Sequence, residues 1–528
     1  MATSRTFSAR FEAIAVAKSD LPAVNYGARA VSFGDLIDEG RRVAGGLAGL
    51  GVGPGDRVAI WMPNAPSYLA VFLACARLGA ILVNVNSRFK SSELGDILGR
   101  SGARVLVYWP GYRDLAFDEI LADVDPAVLG ALSAVVAYGG DAANSPGKRT
   151  LAYEILVHAS PMIEDRARPD NGCAIFTTSG TTRAPKFVLH THRSIGDHAH
   201  EVARAFGYDA PGAATLLMLP LCGVFGFAQA MASLAAGAPM VLLPQFDPEA
   251  AAAAIGQYTV THTNGTDDMF ARLLEARAAE MPFPSLRWAG FAAFNMAAEP
   301  LVAAAEARGL RLAGLYGTSE LQALYARQPV DAPIARRALA GGIPTSTEAR
   351  MRARDPESGR LLGLGEAGEL ELAGPSRMAG YFADAEATLR ALTADGFMRT
   401  GDLGYATEDG GFVFQARMGD AIRLGGFLVN PIEIESCIQE HPGVVAAQVV
   451  AVPHEGRSRA VAFVRLAPGA RLDELAVAMF CGQRMARFKT PERFVAIDEF
   501  PIATGPNGVK IQRGVLRDMA SRLLSGER

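Results

Sequence analysis

The sequence predicts an α/β protein with a large N-terminal domain of parallel sheets and a smaller C-terminal α+β domain. The chain has 528 residues, of which 50% are hydrophobic and 20% charged, so it can build a large packed core. In the N-terminal part, short apolar runs rich in β-branched residues alternate with longer Ala/Leu-rich helical patterns. Beyond Glu366 the predicted strands become closely spaced and are punctuated by glycine. Near-continuous apolar strands alternating with helices are typical of parallel sheets covered on both faces.

The N-terminal elements follow a strand–helix–strand order that recurs along the chain. The first group is a buried strand at 57–61, a helix at 67–78 with Ser67 as its cap, and a strand at 80–83. A later group repeats this order, with a helix at 229–235, a strand at 240–243, a helix at 248–255 and a strand at 259–261. The predicted strands are short apolar runs, and the predicted helices between them are longer Ala/Leu-rich patterns.

The C-terminal elements form a separate α+β pattern. Strands are predicted at 368–372 and 411–414, followed by a helix at 431–438, strands at 444–452 and 460–464, and a helix at 472–485. Pro431 suits the first position of the helix because its missing N–H would have no partner there. We place the domain boundary between 418 and 419, which divides the chain into domains 1–418 and 419–528.

Composition and charge exclude several classes of protein. The net charge is −4 and no Lys/Arg-rich run is present, which argues against a nucleic-acid partner. The apolar stretch 227–243 is interrupted by Gln229, Gly237 and Pro239, which argues against integral membrane insertion. The five cysteines are widely spaced and the N-terminus has no apolar leader segment, so we expect a cytoplasmic location.

Residues 177–186, TTSGTTRAPK, form the most informative segment of the chain. The segment holds five hydroxyl side chains, a glycine and a lysine, directly after the apolar run 173–176. Hydroxyls, backbone N–H groups and one cation are the donors that phosphate oxygens require. Taken alone, the segment could also be a solvated Ser/Thr turn.

Two other signals point less clearly to a site. Residues 363–368 match the dinucleotide-binding pattern GxGxxG, but a strand pattern follows rather than a helix, which argues against that function. His190, His192, His198 and His200 lie within eleven residues and could bind a metal. We favour a structural interpretation of these histidines.

The ordered motifs resemble the adenylate-forming superfamily, which contains acyl-CoA synthetases, adenylation domains of peptide synthetases and luciferases. The resemblance runs from GVGPGDRVAI at 51–60 to Lys510, and includes TTSGTTRAPK at 177–186, GLYGTSE at 314–320 and RTGDL at 399–403. It implies that the N-terminal domain includes a small β-barrel-like subdomain and that the C-terminal domain is mobile. It also implies ATP and CoA as co-substrates, Mg²⁺ as cofactor and a small carboxylic acid as substrate.

The resemblance implies a nucleotide site made of several motifs. The phosphate loop comprises Thr177, Thr178, Ser179, Gly180, Thr181, Thr182 and Lys186. Ser319 stands where the family's hydroxyl meets the α-phosphate, and Glu320 stands where the family's carboxylate binds Mg²⁺, a cation that prefers oxygen ligands. The remaining nucleotide contacts are Ala298, Glu299, Pro300, Tyr316, Gly317, Thr318, Asp402 and Arg417, with Tyr316 against adenine and Asp402 on the ribose diol.

The C-terminal motifs resemble the parts that move and react in this family. Lys510, in the segment 501–513, stands where the family's lysine bridges the carboxylate and the α-phosphate, so we predict it to be catalytic. Gly419 and Asp420 occupy the hinge position, and glycine there permits wide rotation. Gly425, Gly426 and Phe427 occupy the position of the CoA channel.

The acid substrate is predicted from the segment LPLCGVFGF at 219–227. The predicted acyl pocket comprises Cys222, Gly223, Phe225, Phe227, Gly265, Gly317 and Leu321. Residues 222–230 contain no acid to pair an ammonium group, which disfavours amino acids. The sequence therefore predicts an acyl-CoA synthetase for an aromatic or medium-chain acid. The alternatives are a ligase that loads a carrier protein and a nucleotide-binding pseudoenzyme, and the prediction admits a homo-oligomer.

Overall fold

The fold is described from a computed structural model. The described residues are 6–113, 115–140, 148–178, 185–294, 298–418, 422–424, 427–429, 431–454, 457–485, 489–505 and 508–525. The chain forms two compact units, the first made of residues 1–350 and 373–398 and the second of 351–372 and 399–528. No helix in the described ranges is long and apolar enough to cross a membrane.

Unit 1 contains the helices α1–α13 and most of the strands in the first three quarters of the chain. Its helices are α1 (Phe7–Ala17), α2 (Phe33–Gly49), α3 (Pro66–Leu78), α4 (Ser91–Ser101), α5 (Phe117–Ala122), α6 (Tyr153–Val157), α7 (His192–Phe206), α8 (Val224–Ala236), α9 (Pro248–Gln257), α10 (Asp267–Glu275), α11 (Ala298–Glu306), α12 (Ile334–Arg337) and α13 (Ala385–Ala391). Its strands are β1 (Pro22–Tyr26), β2 (Arg29–Ser32), β3 (Arg57–Trp61), β4 (Ile81–Asn84), β5 (Val105–Tyr108), β6 (Ala134–Ala137), β7 (Arg149–Ala152), β8 (Gly172–Thr177), β9 (Phe187–Thr191), β10 (Thr215–Leu217), β11 (Met240–Leu242), β12 (His262–Thr266), β13 (Trp288–Ala292), β14 (Leu312–Tyr316), β15 (Ala326–Arg327), β16 (Gly341–Pro344) and β19 (Gly380–Tyr381).

Two largely parallel sheets form the frame of unit 1. One sheet has the order β19-β9-β8-β4-β3-β5-β6-β7, in which β8 to β7 run parallel and β9 is antiparallel to β8. The other runs β16-β15-β14-β13-β12-β10-β11-β1-β2 and is parallel from β14 to β1. These sheets confirm the predicted fold class for the N-terminal part of the chain.

The main core of unit 1 joins both sheets through buried helices. All residues of α3 are buried, and its Phe72 ring meets the edge of Phe227 in α8 at a centroid distance of 4.9 Å. Phe227 also packs edge-on against Phe176 of β8, at 5.1 Å. A largely apolar helix is stable only when it is covered on all sides, as α3 is here.

Two sequence predictions in unit 1 are wrong in detail. The strand predicted at 259–261 is a helix-end turn, since α9 ends at Gln257 and the Val260 N–H bonds to the carbonyl of Ile255. Thr259 has a φ of 49°, which a strand does not allow, so β12 begins later, at His262. Ser67 does not cap α3, because Ala65 is the cap residue and Pro66 the first helical residue.

Unit 2 contains the closely spaced strands and the α+β pattern predicted for the end of the chain. Its elements are β17 (Arg350–Arg354), β18 (Gly368–Ala373), β20 (Met398–Ala406), β21 (Phe412–Arg417), β22 (Ile422–Leu424), β23 (Phe427–Val429), α14 (Pro431–Gln439), β24 (Val444–His454), β25 (Arg457–Leu466), α15 (Glu474–Gly482), β26 (Arg493–Ala496), β27 (Ile502–Gly505), β28 (Gly508–Ile511) and α16 (Arg513–Ser525). Strands β17, β18, β20 and β21 are hydrogen bonded in that order. A second sheet has the order β24-β25-β26, with α14 and α16 packed on β24.

The limits of the two units differ from the predicted domain boundary. Residues 351–372 and 399–418 belong to unit 2, together with the whole C-terminal part. Gly419 and Asp420, the predicted hinge, lie outside the described residues. The boundary between 418 and 419 therefore stays a prediction.

Candidate active site

The predicted phosphate loop joins β8 to β9, and its base is closed by two hydrogen bonds. The Thr178 N–H donates to the carbonyl of Lys186 at 3.0 Å, and the Lys186 N–H donates to Thr178 Oγ1 at 3.2 Å. Thr177 pairs with Phe187 at the end of the ladder. Ser179, Gly180, Thr181 and Thr182 lie outside the described residues.

The segment that carries Ser319 and Glu320 leaves β14 in an unusual backbone conformation. A short 3₁₀ turn spans Ser319–Leu321, and Gln322, Ala323 and Leu324 follow with φ values of 62°, 49° and 44°. A Cβ on Gly317 would lie 2.4 Å from the Cα of Ala323, so only glycine fits at this position. The tight turn places Ser319 and Glu320 directly beyond the carboxyl end of a parallel strand, where ligands of α/β proteins commonly bind.

The Glu320 side chain is held by Tyr381. The Tyr381 hydroxyl donates to Glu320 Oε1 at 2.8 Å, and the Met378 N–H donates to the backbone carbonyl of Glu320 at 2.8 Å. The Lys186 Nζ lies over the Tyr381 ring, 4.6 Å from its centroid. One tyrosine therefore touches both the predicted magnesium ligand and the lysine of the predicted phosphate loop.

Two buried histidines form hydrogen bonds with backbone carbonyls of the same turn. His190 Nε2 lies 2.8 Å from the Ser319 carbonyl and His198 Nε2 lies 2.9 Å from the Ala323 carbonyl. A carbonyl only accepts, so each ring donates from Nε2. Burial lowers the pKa of each histidine to about 4, although the hydrogen bonds act in the opposite direction. The geometry therefore gives His190 and His198 a structural role as neutral donors.

The predicted adenine-binding residues lie at the ends of β13 and β14. Tyr316 is the buried last residue of β14, and Ala298, Glu299 and Pro300 form the first turn of α11. The Phe294 N–H donates to Asp267 Oδ2 at 2.9 Å, which anchors the chain just before the segment 295–297, itself outside the described residues. Thr318 is buried, and among the described residues its Oγ1 has no hydrogen-bond partner.

The predicted acyl-pocket residues all lie in unit 1. Gly223 is the cap residue of α8, Cys222 and Phe225 are buried beside it, and Leu321 is fully buried in the 3₁₀ turn. Gly265 lies in β12, where a Cβ would come within 3.2 Å of Met218 Cε. Phe227 packs between two other phenylalanine rings, as described above, so its surroundings are those of a core residue.

The Cys222 segment is held by a single buried amide. Asn64 Nδ2 donates to the carbonyls of Leu219 and Leu243, and Asn64 Oδ1 accepts from the Leu221 N–H at 2.7 Å. Three backbone groups in the interior are thereby paired, as buried polar groups require. The start of α8 is consequently fixed to the residues that follow β3.

Asp402 and Arg417 lie opposite each other in unit 2. They are paired residues of the antiparallel strands β20 and β21, and Arg417 Nη1 lies 2.9 Å from Asp402 Oδ1. The same guanidinium donates to the carbonyl of Thr400, and the Thr400 Oγ1 accepts from the Asp402 N–H. Asp402 is 1% exposed, so its carboxylate keeps one orientation.

The remaining predicted residues belong to parts of unit 2 that the structure describes only in part. Lys510 lies in the hairpin strand β28, where it is paired with Ala503. Phe427 begins β23, while Gly425 and Gly426 lie outside the described residues. The roles of these residues stay predictions.

Sequence reasoning missed the residues that support this site. Tyr381 is 61 residues from Glu320, and no motif in the sequence joins the two. Asn64 and Asp267 were missed for the same reason, because each acts on a segment far along the chain. The only available signal was the presence of polar residues in otherwise apolar surroundings.

Comparison with family models decides the relationship of the chain. Residues 11–382 match the model described as AMP-binding enzyme, and residues 433–505 match the model described as AMP-binding enzyme C-terminal domain. The chain belongs to the AMP-binding enzyme family. The resemblance to adenylate-forming enzymes predicted from the motifs is thus confirmed.

Relatives of this AMP-binding enzyme include CoA ligases that resemble it over nearly their whole length. A sulfoacetate–CoA ligase of Cupriavidus necator is 31% identical over 490 residues, covering 92% of this chain and 91% of the relative. A 2-succinylbenzoate–CoA ligase of Geobacillus kaustophilus is 31% identical over 480 residues, covering 91% of each. The crystal structure of ATP-bound MatB from Rhodopseudomonas palustris matches with a TM-score of 0.83 and 26% identity, over 99% of this chain and 100% of that one.

These matches confirm the predicted enzyme class. The chain is an AMP-forming acid–CoA ligase that activates a carboxylic acid through an acyl-adenylate. ATP and CoA are the co-substrates that this class of enzyme uses. The acids named for the two curated relatives differ in structure, since only one of them contains an aromatic ring, so membership of the family does not identify the acid.

Proposed function

We propose that this ligase converts an aromatic or medium-chain carboxylic acid into its CoA thioester. The supporting observation is the start of α8. Cys222 and Phe225 are buried and apolar there, and Gly223 between them has no side chain. An amino acid would bring an ammonium group into this region, and an unpaired buried charge is very costly. Residues 222–230 contain no acid, and the buried Asp267, which follows the predicted pocket residue Gly265, already accepts from two backbone N–H groups.

We assign nucleotide binding to the residues that the sequence motifs identified. Thr177, Thr178 and Lys186, with the loop between them, are proposed to bind the phosphates, and Ser319 the α-phosphate. Tyr316 is assigned to adenine, Asp402 to the ribose diol and Arg417 to the nucleotide as well. The reciprocal hydrogen bonds between Thr178 and Lys186 support the first assignment, because they hold the two ends of the predicted phosphate loop together.

Mg²⁺ is assigned to Glu320. Among the described residues, the Glu320 carboxylate has one hydrogen bond, from Tyr381 to Oε1, and a carboxylate has about four acceptor positions. A hard oxygen ligand with remaining capacity beside a phosphate loop suits this cation. When bound, Mg²⁺ would neutralise charge on the phosphate oxygens.

The reaction consists of two displacements. In the first, a carboxylate oxygen forms a bond to the α-phosphorus of ATP, and the bond to pyrophosphate breaks. In the second, the CoA thiol loses its proton, its sulfur bonds to the acyl carbon, and AMP leaves. Lys510 is proposed to stabilise the negative charge that develops on phosphorus in the first step. Residues 419–528, turning at Gly419 and Asp420, are proposed to bring Gly425, Gly426 and Phe427 to the thiol in the second.

Release of pyrophosphate from MgATP tests this proposal. The acids to compare are benzoate, octanoate, sulfoacetate, 2-succinylbenzoate and phenylalanine, each with and without CoA. We expect release with benzoate or octanoate that rises on addition of CoA and is weak with phenylalanine. Preference for sulfoacetate or phenylalanine would contradict the apolar pocket.

The acceptor is tested by the same measurement. Acid-dependent release that CoA leaves unchanged would indicate loading of a carrier protein instead of CoA. Binding of ATP without release for any acid would indicate a pseudoenzyme. We do not expect a pseudoenzyme, because Glu320, Asp402 and Lys510 retain the residue types that the chemistry needs.

A further inference from the structure

We propose that Tyr381 is a positioning residue. Its hydroxyl holds the carboxylate of Glu320, and its ring holds the ammonium of Lys186 by a cation–π contact. This inference rests on the proposed roles of Glu320 in binding Mg²⁺ and of Lys186 in binding phosphate. It adds a residue that none of the sequence motifs contains. It also connects two motifs that are separated by more than a hundred residues of chain.

The segment that carries Tyr381 is fixed to both motifs by its backbone. On one side, Gly380 and Tyr381 pair with Leu189 and Val188 of β9, the strand that leaves the phosphate loop. On the other side, the Met378 N–H donates to the Glu320 carbonyl. Backbone hydrogen bonds to both elements leave the Tyr381 ring little freedom to move relative to either.

One side-chain hydrogen bond and one further backbone hydrogen bond strengthen the same attachment. Gln322 Nε2 donates to the Ser376 carbonyl at 3.0 Å, and the Phe382 N–H donates to the Phe187 carbonyl at 2.7 Å. Residues 376–382 therefore form a crossing segment between the Glu320 turn and β9. Tyr381 itself is 7% exposed, so packing as well as hydrogen bonding determines its orientation.

The Tyr381 hydroxyl fixes the orientation of the Glu320 carboxylate. The hydrogen bond to Oε1 is 2.8 Å long and has an ionised acceptor, which makes it stronger than a bond between neutral groups. It restrains rotation of a half-buried carboxylate and leaves the other acceptor positions for a cation. A metal then meets a ligand that is already oriented, which raises its affinity.

The ring acts on Lys186. Its ammonium lies 4.6 Å from the centroid, within the distance at which a cation is attracted to an aromatic face. Lys186 is otherwise exposed, and a free lysine side chain samples many rotamers. The ring therefore holds the cation near the base of the phosphate loop before the nucleotide arrives.

The two actions can be separated by substitution. Tyr381→Phe removes the hydroxyl and keeps the ring, whereas Tyr381→Leu removes both. Tyr258→Phe is the matched control, because the Tyr258 hydroxyl donates to the Gly27 carbonyl at the same distance of 2.8 Å in a different part of unit 1. Thermal melting of each variant reports whether the fold is retained.

The experiment measures binding of α,β-methylene-ATP by calorimetry, with and without Mg²⁺. For Tyr381→Phe we expect metal-free affinity within twofold of wild type and an approximately tenfold smaller gain in affinity on adding Mg²⁺. For Tyr381→Leu we expect that loss and also a several-fold weaker metal-free affinity, since Lys186 loses its ring. Tyr258→Phe should match wild type in both.

The outcomes distinguish this inference from the proposed function. If Glu320→Gln keeps the full Mg²⁺ gain, the proposed metal ligand is wrong and this inference fails with it. If Glu320→Gln loses the gain while Tyr381→Phe keeps it, the Tyr381 inference alone is overturned. In the double variant Tyr381→Phe/Glu320→Gln, we expect the gain in affinity on adding Mg²⁺ to be no smaller than in Glu320→Gln alone, because Tyr381 acts through Glu320. Additive losses of that gain would also overturn the inference.

Discussion

The Nε2 atom of His198 lies 2.9 Å from the carbonyl oxygen of Ala323, the second of three consecutive residues with positive φ. Non-glycine residues adopt this conformation at a cost of about 1 kcal/mol or more each, so the surrounding structure must hold them there. His190 on the Ser319 carbonyl and the Gln322 amide on the Ser376 carbonyl supply further restraints. The turn that presents Glu320 is therefore stabilised by groups outside its own sequence.

His198 makes stability depend on pH. Burial lowers its pKa in the folded state from 6.5 to about 4, so the unfolded chain binds a proton more readily than the folded chain. The stability that it contributes is complete above pH 6.5 and is lost as the pH falls towards 4, and the loss amounts to about 3 kcal/mol.

Melting temperatures of wild type and His198→Gln between pH 7.5 and 4 test this dependence. Glutamine keeps a donor for the Ala323 carbonyl and does not titrate. We expect the variant to lose less stability than wild type over this range. Parallel curves for the two proteins would show that His198 does not titrate as described.

Glycine is required at position 317 because the backbone there lies very close to the backbone of Ala323. In Gly317→Ala, the new Cβ would lie 2.4 Å from the Cα of Ala323, and backbone cannot yield as a flexible side chain can. We expect a destabilisation of about 2 kcal/mol or more and a marked loss of adenylation. Gly256→Ala is the control, because no atom lies within 4 Å of its Cβ position and alanine favours the helix α9. Denaturant unfolding measures both, and equal stability of the two variants would contradict the prediction.

Asp402 is predicted to bind ATP and to have no role in binding the acid. Asp402→Asn weakens the bond to Arg417 and removes the anionic acceptor proposed for the ribose diol. We expect the KM for ATP to rise by about tenfold, which corresponds to ~1.4 kcal/mol, while the KM for the acid stays within twofold. Asp409→Asn, on the exposed turn between β20 and β21, should leave both values unchanged. A rise in the KM for the acid alone would remove Asp402 from the nucleotide site.

Lys510 is predicted to act on only one of the two half-reactions. Lys510→Ala should slow pyrophosphate release by about 10²–10³, because a preorganised cation is lost from the transition state. Formation of the thioester from supplied acyl-adenylate and CoA should change by less than about fivefold. Quenched-flow measurement of each half-reaction decides the matter, and equal losses in both would exclude this role.

Much of the fold could be predicted from local patterns. The runs at 57–61 and 368–372 are strands, and the helices near 229–235 and 431–438 exist with somewhat different ends. The spacing of hydrophobic residues and the positions of prolines predict such elements directly, because helices and short strands depend on residues that are neighbours along the chain. The strand predicted at 259–261 failed because a left-handed residue, Thr259, turns the chain there, and β-branched residues rarely adopt that conformation.

The candidate site was predictable only where its residues lie in continuous motifs. Ser319 and Glu320 belong to one such motif, and Lys186 belongs to another. Their common neighbour Tyr381 has no local signal, because its role arises from pairing of β19 with β9. Asn64 is similar, since it meets the carbonyl of Leu219 only after the sheets have formed.

The sequence by itself determined the family, the order of the elements and the residue types that the chemistry requires. Those features are encoded in short segments, where hydrophobic period, turn residues and motif spacing act locally. The tertiary structure decided which groups hold the predicted site residues and the turn beside them in place, such as Tyr381 on Glu320, His198 on Ala323 and Arg417 on Asp402. These contacts join residues that are far apart in the chain or on facing strands, and contacts of this kind depend on positions in space that no local pattern specifies.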